Sequence, residues 1–158
     1  MRSKGIAMST RARPVVARLA PAVSASVTYR IPSEPRSAGW ARRELRRQLR
    51  RWGVVGELVG VAELLVSELV ANAVRAQGED GAWVGVRFVF SGERLRLEVR
   101  DGSAEQPVLN DDVEEDAECG RGLGLVDAVA SGWGVVPDGI GKVVWAELTV
   151  AVAAAGTE

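Results

Sequence analysis

Three polar residues at helical spacing, Glu68, Asn72 and Arg75, are the first candidates for chemistry. They lie in residues 61–75, a segment without Gly or Pro that is rich in Leu, Ala and Val and therefore predicts a helix. At about 100° per residue, the three side chains fall within roughly 60° of one another. A carboxylate and an amide one turn apart could act as a general base and a metal-facing group. On the helix alone, a solvated polar face is the simpler interpretation.

The second candidate is a glycine-rich run, Gly120-Arg121-Gly122-Leu123-Gly124-Leu125, that opens a short predicted helix. Such a run can present backbone N–H groups and the positive end of a helix to phosphate. It is not a Rossmann fingerprint, because an acidic loop rather than a buried strand precedes it, and it lacks the Gly-Lys-Ser/Thr ending of a P-loop. Taken alone, the run is also typical of an ordinary flexible linker.

The third candidate is Asp101, which ends a predicted strand and is followed by Gly102. Its carboxylate could accept a hydrogen bond from an adenine amino group. A plain turn aspartate is the simpler interpretation of this residue alone.

Composition excludes several other kinds of site. The chain has no histidine, which removes Ser-His-Asp catalysis and histidine metal ligands. Its one cysteine, Cys119, excludes an internal disulfide and a cysteine-built zinc site. Residues 1–52 carry 13 Lys/Arg against 2 Asp/Glu, and residues 53–158 carry 7 against 19, so the halves attract each other. No stretch approaches the ~20 apolar residues that span a membrane, and we expect a cytoplasmic protein.

The candidates are placed on elements whose hydrophobic period changes along the chain. The predicted elements are a basic, disordered tail over 1–24, a strand over 26–31, helices over 33–52 and 61–75, strands over 83–90 and 94–100, a helix from 120 to 130 or 131, and a hairpin over 133–136 and 142–150. They predict an α/β two-layer sandwich of the segregated, α+β kind, with a mainly antiparallel mixed sheet and helices on one face. The predicted domain covers 25–151, and 152–158 form a tail. The long acidic connection before the glycine-rich run predicts a functional lid or a disordered segment.

The predicted helix over 33–52 has one apolar stripe and an arginine-rich surface. Ser33 or Ser37 is expected to cap its first turn. The stripe comprises Ala38, Ala41, Leu45, Leu49 and Trp52. The arginines are Arg42, Arg43, Arg46, Arg47, Arg50 and Arg51. A solvated face is their simpler interpretation; a nucleic-acid patch is the alternative, although no aromatic residues alternate with them to stack bases.

In their order along the chain, the three candidates resemble the motifs of the Bergerat-fold ATPases, the superfamily of gyrase B, heat-shock chaperones, histidine kinases and mismatch-repair proteins. Residues 67–73 resemble the N box, Asp101-Gly102-Ser103 the first glycine box, and residues 120–125 the second. Residues 141–148 resemble the closing strand. Lacking a dimerisation helix pair and a transducer domain, residues 26–150 are most similar to the anti-sigma-factor serine kinases and their small actinobacterial ATP-binding relatives.

The resemblance implies ATP and Mg²⁺ as cofactors and a role for each candidate. Glu68 would be the general base that takes the proton from a substrate serine, and Asn72 would hold the Mg²⁺ that bridges the ATP phosphates. Asp101 would bind the adenine amino group, and Gly102 would let the base approach the backbone. The remaining nucleotide-binding residues would be Arg75, Gly120, Arg121, Gly122, Leu123, Gly124 and Leu125, with the glycines wrapping the phosphates and Arg121 adding charge.

The implied function is an ATP- and Mg²⁺-dependent protein serine/threonine kinase that inactivates an anti-anti-sigma partner and also sequesters a sigma factor. The alternative is a non-catalytic module that holds ATP or ADP and regulates a protein partner through its lid. A third hypothesis, a basic nucleic-acid-binding protein, treats the motifs as coincidental. We expect protein partners, no direct nucleic acid and no membrane, and a homodimer stays open.

The sequence departs from the family pattern at four positions. Ser103 stands near the usual second glycine of the first glycine box, and Ala76 stands where small relatives often carry His. The lid arginine of the family is not quite in the register of Arg121. Val143 stands where a Thr or Ser usually contacts phosphate from the last strand. Val143 favours the switch over the kinase, whereas the intact Glu68 favours the kinase.

Overall fold

The computed structural model describes residues 24–78, 81–102 and 121–150, and of residues 121–123 only the backbone. Its elements in chain order are β1 (Ala25–Pro32), α1 (Ser37–Arg51), α2 (Glu57–Gln77), β2 (Trp83–Phe90), β3 (Arg94–Asp101), α3 (Arg121–Val129), β4 (Gly132–Asp138) and β5 (Gly141–Thr149). The predicted tails, 1–24 and 152–158, lie outside the described residues except for Ser24. So does the acidic connection, and the proposed lid stays a prediction.

The five strands form one open sheet in the order β1-β2-β3-β5-β4, and every described pairing is antiparallel. The helices pack on one side of this sheet, so the predicted two-layer α/β sandwich is confirmed. The parallel pairing that a mixed sheet would contain is not seen in 24–78, 81–102 and 121–150. Within these ranges, no helix is long and apolar enough to cross a membrane.

Strict alternation in the strands separates a buried sheet face from a charged one. On β3, Leu95, Leu97 and Val99 are fully buried against the helices. The outer face carries charged pairs instead: Arg96 donates to Glu98 at 2.6 Å and to Glu147 at 3.0 Å. The period of two therefore specifies which face of the sheet receives the helices.

Helix α2 supplies the largest share of the helical side of the core. Its fully buried side chains recur at helical spacing and include Leu65, Val66, Leu69 and Val70. Gly56, with φ of 93°, precedes its first residue in a conformation that favours glycine. Helix α1 packs beside α2, and Arg46 binds Glu63 across them at 2.6 Å and holds the pKa of that carboxyl below its ordinary value.

The predicted cap of α1 is wrong. The helix begins at Ser37 rather than near Ser33, its N-cap is Arg36, and no side chain caps it. Both serines are engaged elsewhere: the Ser37 hydroxyl donates to Pro32 O at 2.6 Å, and Ser33 Oγ accepts from Gln77 at 2.8 Å. Consecutive backbone turns lead into the helix instead.

The remaining features of α1 follow the apolar pattern. Ala41, Leu45 and Leu49 are fully buried, whereas Ala38 and Trp52 are half-buried. The six arginines of the surface, Arg42, Arg43, Arg46, Arg47, Arg50 and Arg51, are exposed. Arg47 pairs with Glu44 of the same helix. The solvated-face interpretation fits these positions.

Two adjacent leucines of α2 test the burial of this helix. Leu65 is completely buried, and Leu64 is 40% exposed. We expect Leu65→Ala to lower the free energy of unfolding by about 2–5 kcal/mol, because it leaves a cavity in the core. Leu64→Ala, which changes helix propensity equally, should cost less than about 1 kcal/mol. Urea denaturation followed by circular dichroism measures both, and equal losses would mean that α2 buries a different face.

Candidate functional site

The predicted polar stripe exists on α2. Glu68 and Asn72 are half-buried, one turn apart, and Arg75 is exposed one turn further on. Arg75 Nη2 donates a hydrogen bond to Asn72 Oδ1. Asn72 Nδ2 is buried and has no hydrogen-bond partner within the described part of the chain. The stripe is therefore partly covered and partly unsatisfied, unlike a fully solvated polar face.

These groups fit a phosphate-bound metal better than a metal held by protein alone. Among residues 24–78, 81–102 and 121–150, no group of three or more acidic or cysteine side chains could hold an ion. Mg²⁺ is commonly bound through one or two protein oxygens together with substrate phosphates. Asn72 suits such a mixed site because its Oδ1 is an oxygen of the kind that Mg²⁺ binds and its buried Nδ2 can donate to a phosphate oxygen. In this structure Oδ1 accepts a hydrogen bond from Arg75, which would have to move for a metal to bind there.

Asp101 is the last residue of β3, and its side chain is buried on the side of the sheet that faces the helices. Lys142, its cross-strand neighbour on β5, lies beside it, with Lys142 Nζ 3.0 Å from Asp101 Oδ1. The side chain of Asp101 is 1% exposed and that of Lys142 is 4% exposed, so this is a buried ion pair. Sequence analysis missed Lys142. The alternation of β5 could have revealed it, because Lys142 has the same parity as Val144 and Ala146, which predicts a side chain that faces the core.

Val143 lies on β5, the last strand, and its side chain is on the outer face of the sheet. Its cross-strand neighbours are Arg100 and Val136, and it lines a cavity on the outer face of the sheet. The β5 side chain beside Asp101 is Lys142.

The end of β3 and the end of α2 are joined by a residue that sequence analysis did not select. Gln77, the last residue of α2, accepts a hydrogen bond from the backbone N–H of Gly102 at 2.8 Å. Asn72 precedes Gln77 by five residues, about 7.5 Å along the helix axis at ~1.5 Å per residue. The N box and the first glycine box are therefore neighbours in the fold.

The glycine-rich run is described only in part. Gly120 lies outside the described residues, and of Arg121, Gly122 and Leu123 only the backbone is described. Residues 121–125 belong to the first turns of α3 rather than to a loop ahead of it. The first four N–H groups of a helix lack partners within the helix, so this end can still receive an anion.

Helix α3 is fixed to its surroundings beyond that run. Val126 and Ala130 are buried in the core. Trp133 Nε1 of β4 donates to Asp127 Oδ1 at 2.9 Å. These contacts anchor the C-terminal part of the helix.

A cavity of about 820 Å³ lies at the same end of the sheet but opens on the outer face. It is lined by Trp83, Arg100 and Ile140, among others, and touches Asp101 and Gly102 at the edge. Neither Glu68 nor Asn72 belongs to it. This cavity is therefore separate from the polar stripe of α2.

A comparison with known protein families supplies the deciding observation. The sequence model of the histidine kinase-like ATPase domain matches residues 31–148, about three quarters of the chain. The chain belongs to this family. A search of curated proteins found no match. The histidine kinase-like ATPase domain is an ATP-binding module, and the open antiparallel sheet with helices on one side agrees with its fold. The individual roles assigned to Glu68, Asn72, Arg75, Asp101 and the glycines stay predictions.

The buried ion pair of Asp101 and Lys142 allows a prediction about the stability of this ATPase domain. Asp101→Asn or Lys142→Met alone should lower the free energy of unfolding by about 3–5 kcal/mol, because each removes the charge that offsets a buried partner. The double variant Asp101→Asn/Lys142→Met should recover most of that loss. Urea titrations of the four proteins form a double-mutant cycle. Additive losses would show that the two charges do not interact in solution.

Proposed function

We propose that this ATPase domain is a Mg²⁺-dependent protein serine/threonine kinase that phosphorylates an anti-anti-sigma partner and sequesters a sigma factor in the cytoplasm. The observation that carries the proposal is the half-buried pair of Glu68 and Asn72 one turn apart on α2, with a buried amide nitrogen that has no partner in the described residues. Phosphoryl transfer requires a positioned base, a metal and hydrogen-bond donors, and this stripe offers the first and the ligands for the second.

In the proposed reaction, the serine oxygen of the substrate bonds to the γ-phosphorus of ATP. Glu68 accepts the proton of that hydroxyl, and the bond from the γ-phosphorus to the β–γ bridging oxygen breaks, so that ADP leaves with the electron pair. Asn72 would hold Mg²⁺, which neutralises charge on the phosphates. Asp101 would accept the hydrogen bond of the adenine amino group.

Arg75 has a defined part in this proposal. A guanidinium binds phosphate through charge-assisted, often bidentate hydrogen bonds, which are stronger than a bond to a neutral amide oxygen. We therefore assign Arg75 to the phosphates of bound ATP. Its movement from Asn72 Oδ1 would expose the oxygen that faces the metal.

The second candidate function is an ATP- or ADP-binding switch without phosphotransfer. The hydrogen bond from Arg75 to Asn72 favours it, because a side-chain cation contacts the oxygen that a metal would use. Val143, which stands where a Thr or Ser usually contacts phosphate, also favours the switch. Mixing the protein with γ-labelled ATP and candidate partner proteins encoded by neighbouring genes distinguishes the two functions.

The kinase proposal predicts different results for two residues of one stripe. Glu68→Gln keeps size and polarity but cannot accept a proton, so ATP affinity should stay nearly unchanged while phosphotransfer falls about 10²–10⁴-fold. Asn72→Ala should weaken the Mg²⁺-dependent part of ATP binding, because it removes an oxygen ligand. Calorimetry with and without Mg²⁺, and transfer of label to the partner, measure the two effects.

The matched control is Glu57→Gln, which removes an exposed carboxylate from the other end of the same helix. It should transfer phosphate at the parent rate. A Glu68→Gln protein that is equally active would overturn the assignment of the base. A parent protein that binds Mg-ATP and labels no serine-bearing partner would leave the switch as the function.

A further inference from the structure

The side chain of Gln77 joins three separate segments at the C-terminal end of α2. Its Oε1 accepts from Gly102 N at 2.8 Å. Its Nε2 donates to Ser33 Oγ at 2.8 Å and to the backbone oxygen of Trp83 at 3.2 Å. One carboxamide thus connects the end of β3, the connection between β1 and α1, and the first residue of β2.

Gly102 is the first residue beyond the paired part of β3, since the register with β5 ends at Asp101 and Lys142. Its N–H therefore has no strand to bind, and Gln77 accepts it instead. Because Gly102 directly follows Asp101, this bond fixes the backbone that carries the Asp101 carboxylate. The other end of the link is the helix that carries Asn72.

The side chain of Gln77 packs against two glycines, Gly81 and Gly102. A larger residue at position 81 would occupy the space that this side chain fills. A Cβ on Gly81 would lie 2.5 Å from Gln77 Cβ and 2.6 Å from Gln77 Cδ, closer than such atoms approach. A Cβ on Gly102 would lie 3.4 Å from Gln77 Oε1. Glycine at position 81 is thus what lets the Gln77 side chain reach Gly102.

We propose that Gln77 is a positioning residue for base recognition: it holds Gly102, and with it Asp101, at a fixed distance from the phosphate-binding end of the site on α2. This inference rests on the proposed binding of adenine at Asp101. A bond that only closed the end of α2 would affect stability without distinguishing one part of the nucleotide from another. Gln77 instead acts on the base and leaves the phosphates alone.

The test compares ATP with tripolyphosphate, which lacks the base and ribose, by competition against a fluorescent ATP analogue in the presence of Mg²⁺. Gln77→Ala should lower ATP affinity about 5- to 100-fold, the effect of losing a hydrogen bond that positions a binding group. Tripolyphosphate affinity should stay within about twofold of the parent's. The ratio of the two affinities is a readout that a general loss of stability does not change.

The matched control is Gln48→Ala. Gln48 is a second helical glutamine, buried where Gln77 is half-buried, and its Nε2 donates to Tyr29 Oη at 3.2 Å, away from Asp101 and Gly102. It should leave both affinities at the parent value. Gly81→Ala is the second test variant, because its Cβ has no room beside Gln77 Cβ and Cδ, so residue 81 and the Gln77 side chain must move apart while the carboxamide is kept. It should reproduce the selective loss. If Gln77→Ala does not fold, Gly81→Ala decides.

The outcomes separate this inference from the proposed function. A parent protein that binds ATP no better than tripolyphosphate would overturn base recognition at Asp101, and the role of Gln77 with it. A parent that prefers ATP, with a Gln77→Ala or Gly81→Ala variant of equal preference, would overturn the role of Gln77 alone. Equal losses for ATP and tripolyphosphate would also overturn it, since the residue would then act on the whole site.

Discussion

The packing of α2 against the sheet is the constraint on which the rest of the structure depends. Leu65, Val66 and Leu69 are fully buried, and each contributes about 1.5–3 kcal/mol by leaving water. The same helical period that buries these residues fixes the direction of the polar stripe, because Glu68 and Asn72 cannot rotate without exposing the apolar side chains. The positions of Glu68, the candidate base, and Asn72, the candidate metal ligand, therefore depend on the packing of the core. A mutation that disrupts this packing would also displace them.

The buried ion pair of Asp101 and Lys142 differs from this apolar packing, because burying charges costs free energy whereas burying apolar side chains gains it. Desolvating two charges costs several kcal/mol per ion, and their attraction offsets this only when the geometry is good. An apolar pair at the same register would extend the buried face of β3 and β5 and could be at least as stable. A buried ion pair at the end of two otherwise apolar strand faces is thus weak evidence for stability.

The sequence specified the elements through local periodicity. The period of two in β2 and β3 and the apolar stripe of α1 and α2 are visible in consecutive residues, and these four elements end within a few residues of their predicted bounds. The contacts that were missed are remote in sequence. Gln77 and Gly102 are 25 residues apart, and Asp101 and Lys142 are 41 apart, so each pair is defined by the strand order and not by its neighbours. The prediction of Ser33 as the N-cap of α1 was wrong for the same reason, because Ser33 Oγ accepts a hydrogen bond from Gln77 of another helix.

Helix α2 positions two parts of the candidate site: Asn72 in its middle, and Gln77 at its end, where it binds Gly102. Asn72 and Gln77 lie on the same helix, so the distance along that helix between Asn72 and the residue that holds Gly102 is set by helical geometry. Strand β3 contributes Asp101, its last residue, which is the proposed partner of the adenine amino group. A nucleotide that bridges both ends would connect α2 to β3 a second time, in parallel with the bond from Gly102 to Gln77. A ligand that binds the folded domain and not the unfolded chain would stabilise this arrangement by an amount that rises with the logarithm of its concentration relative to Kd.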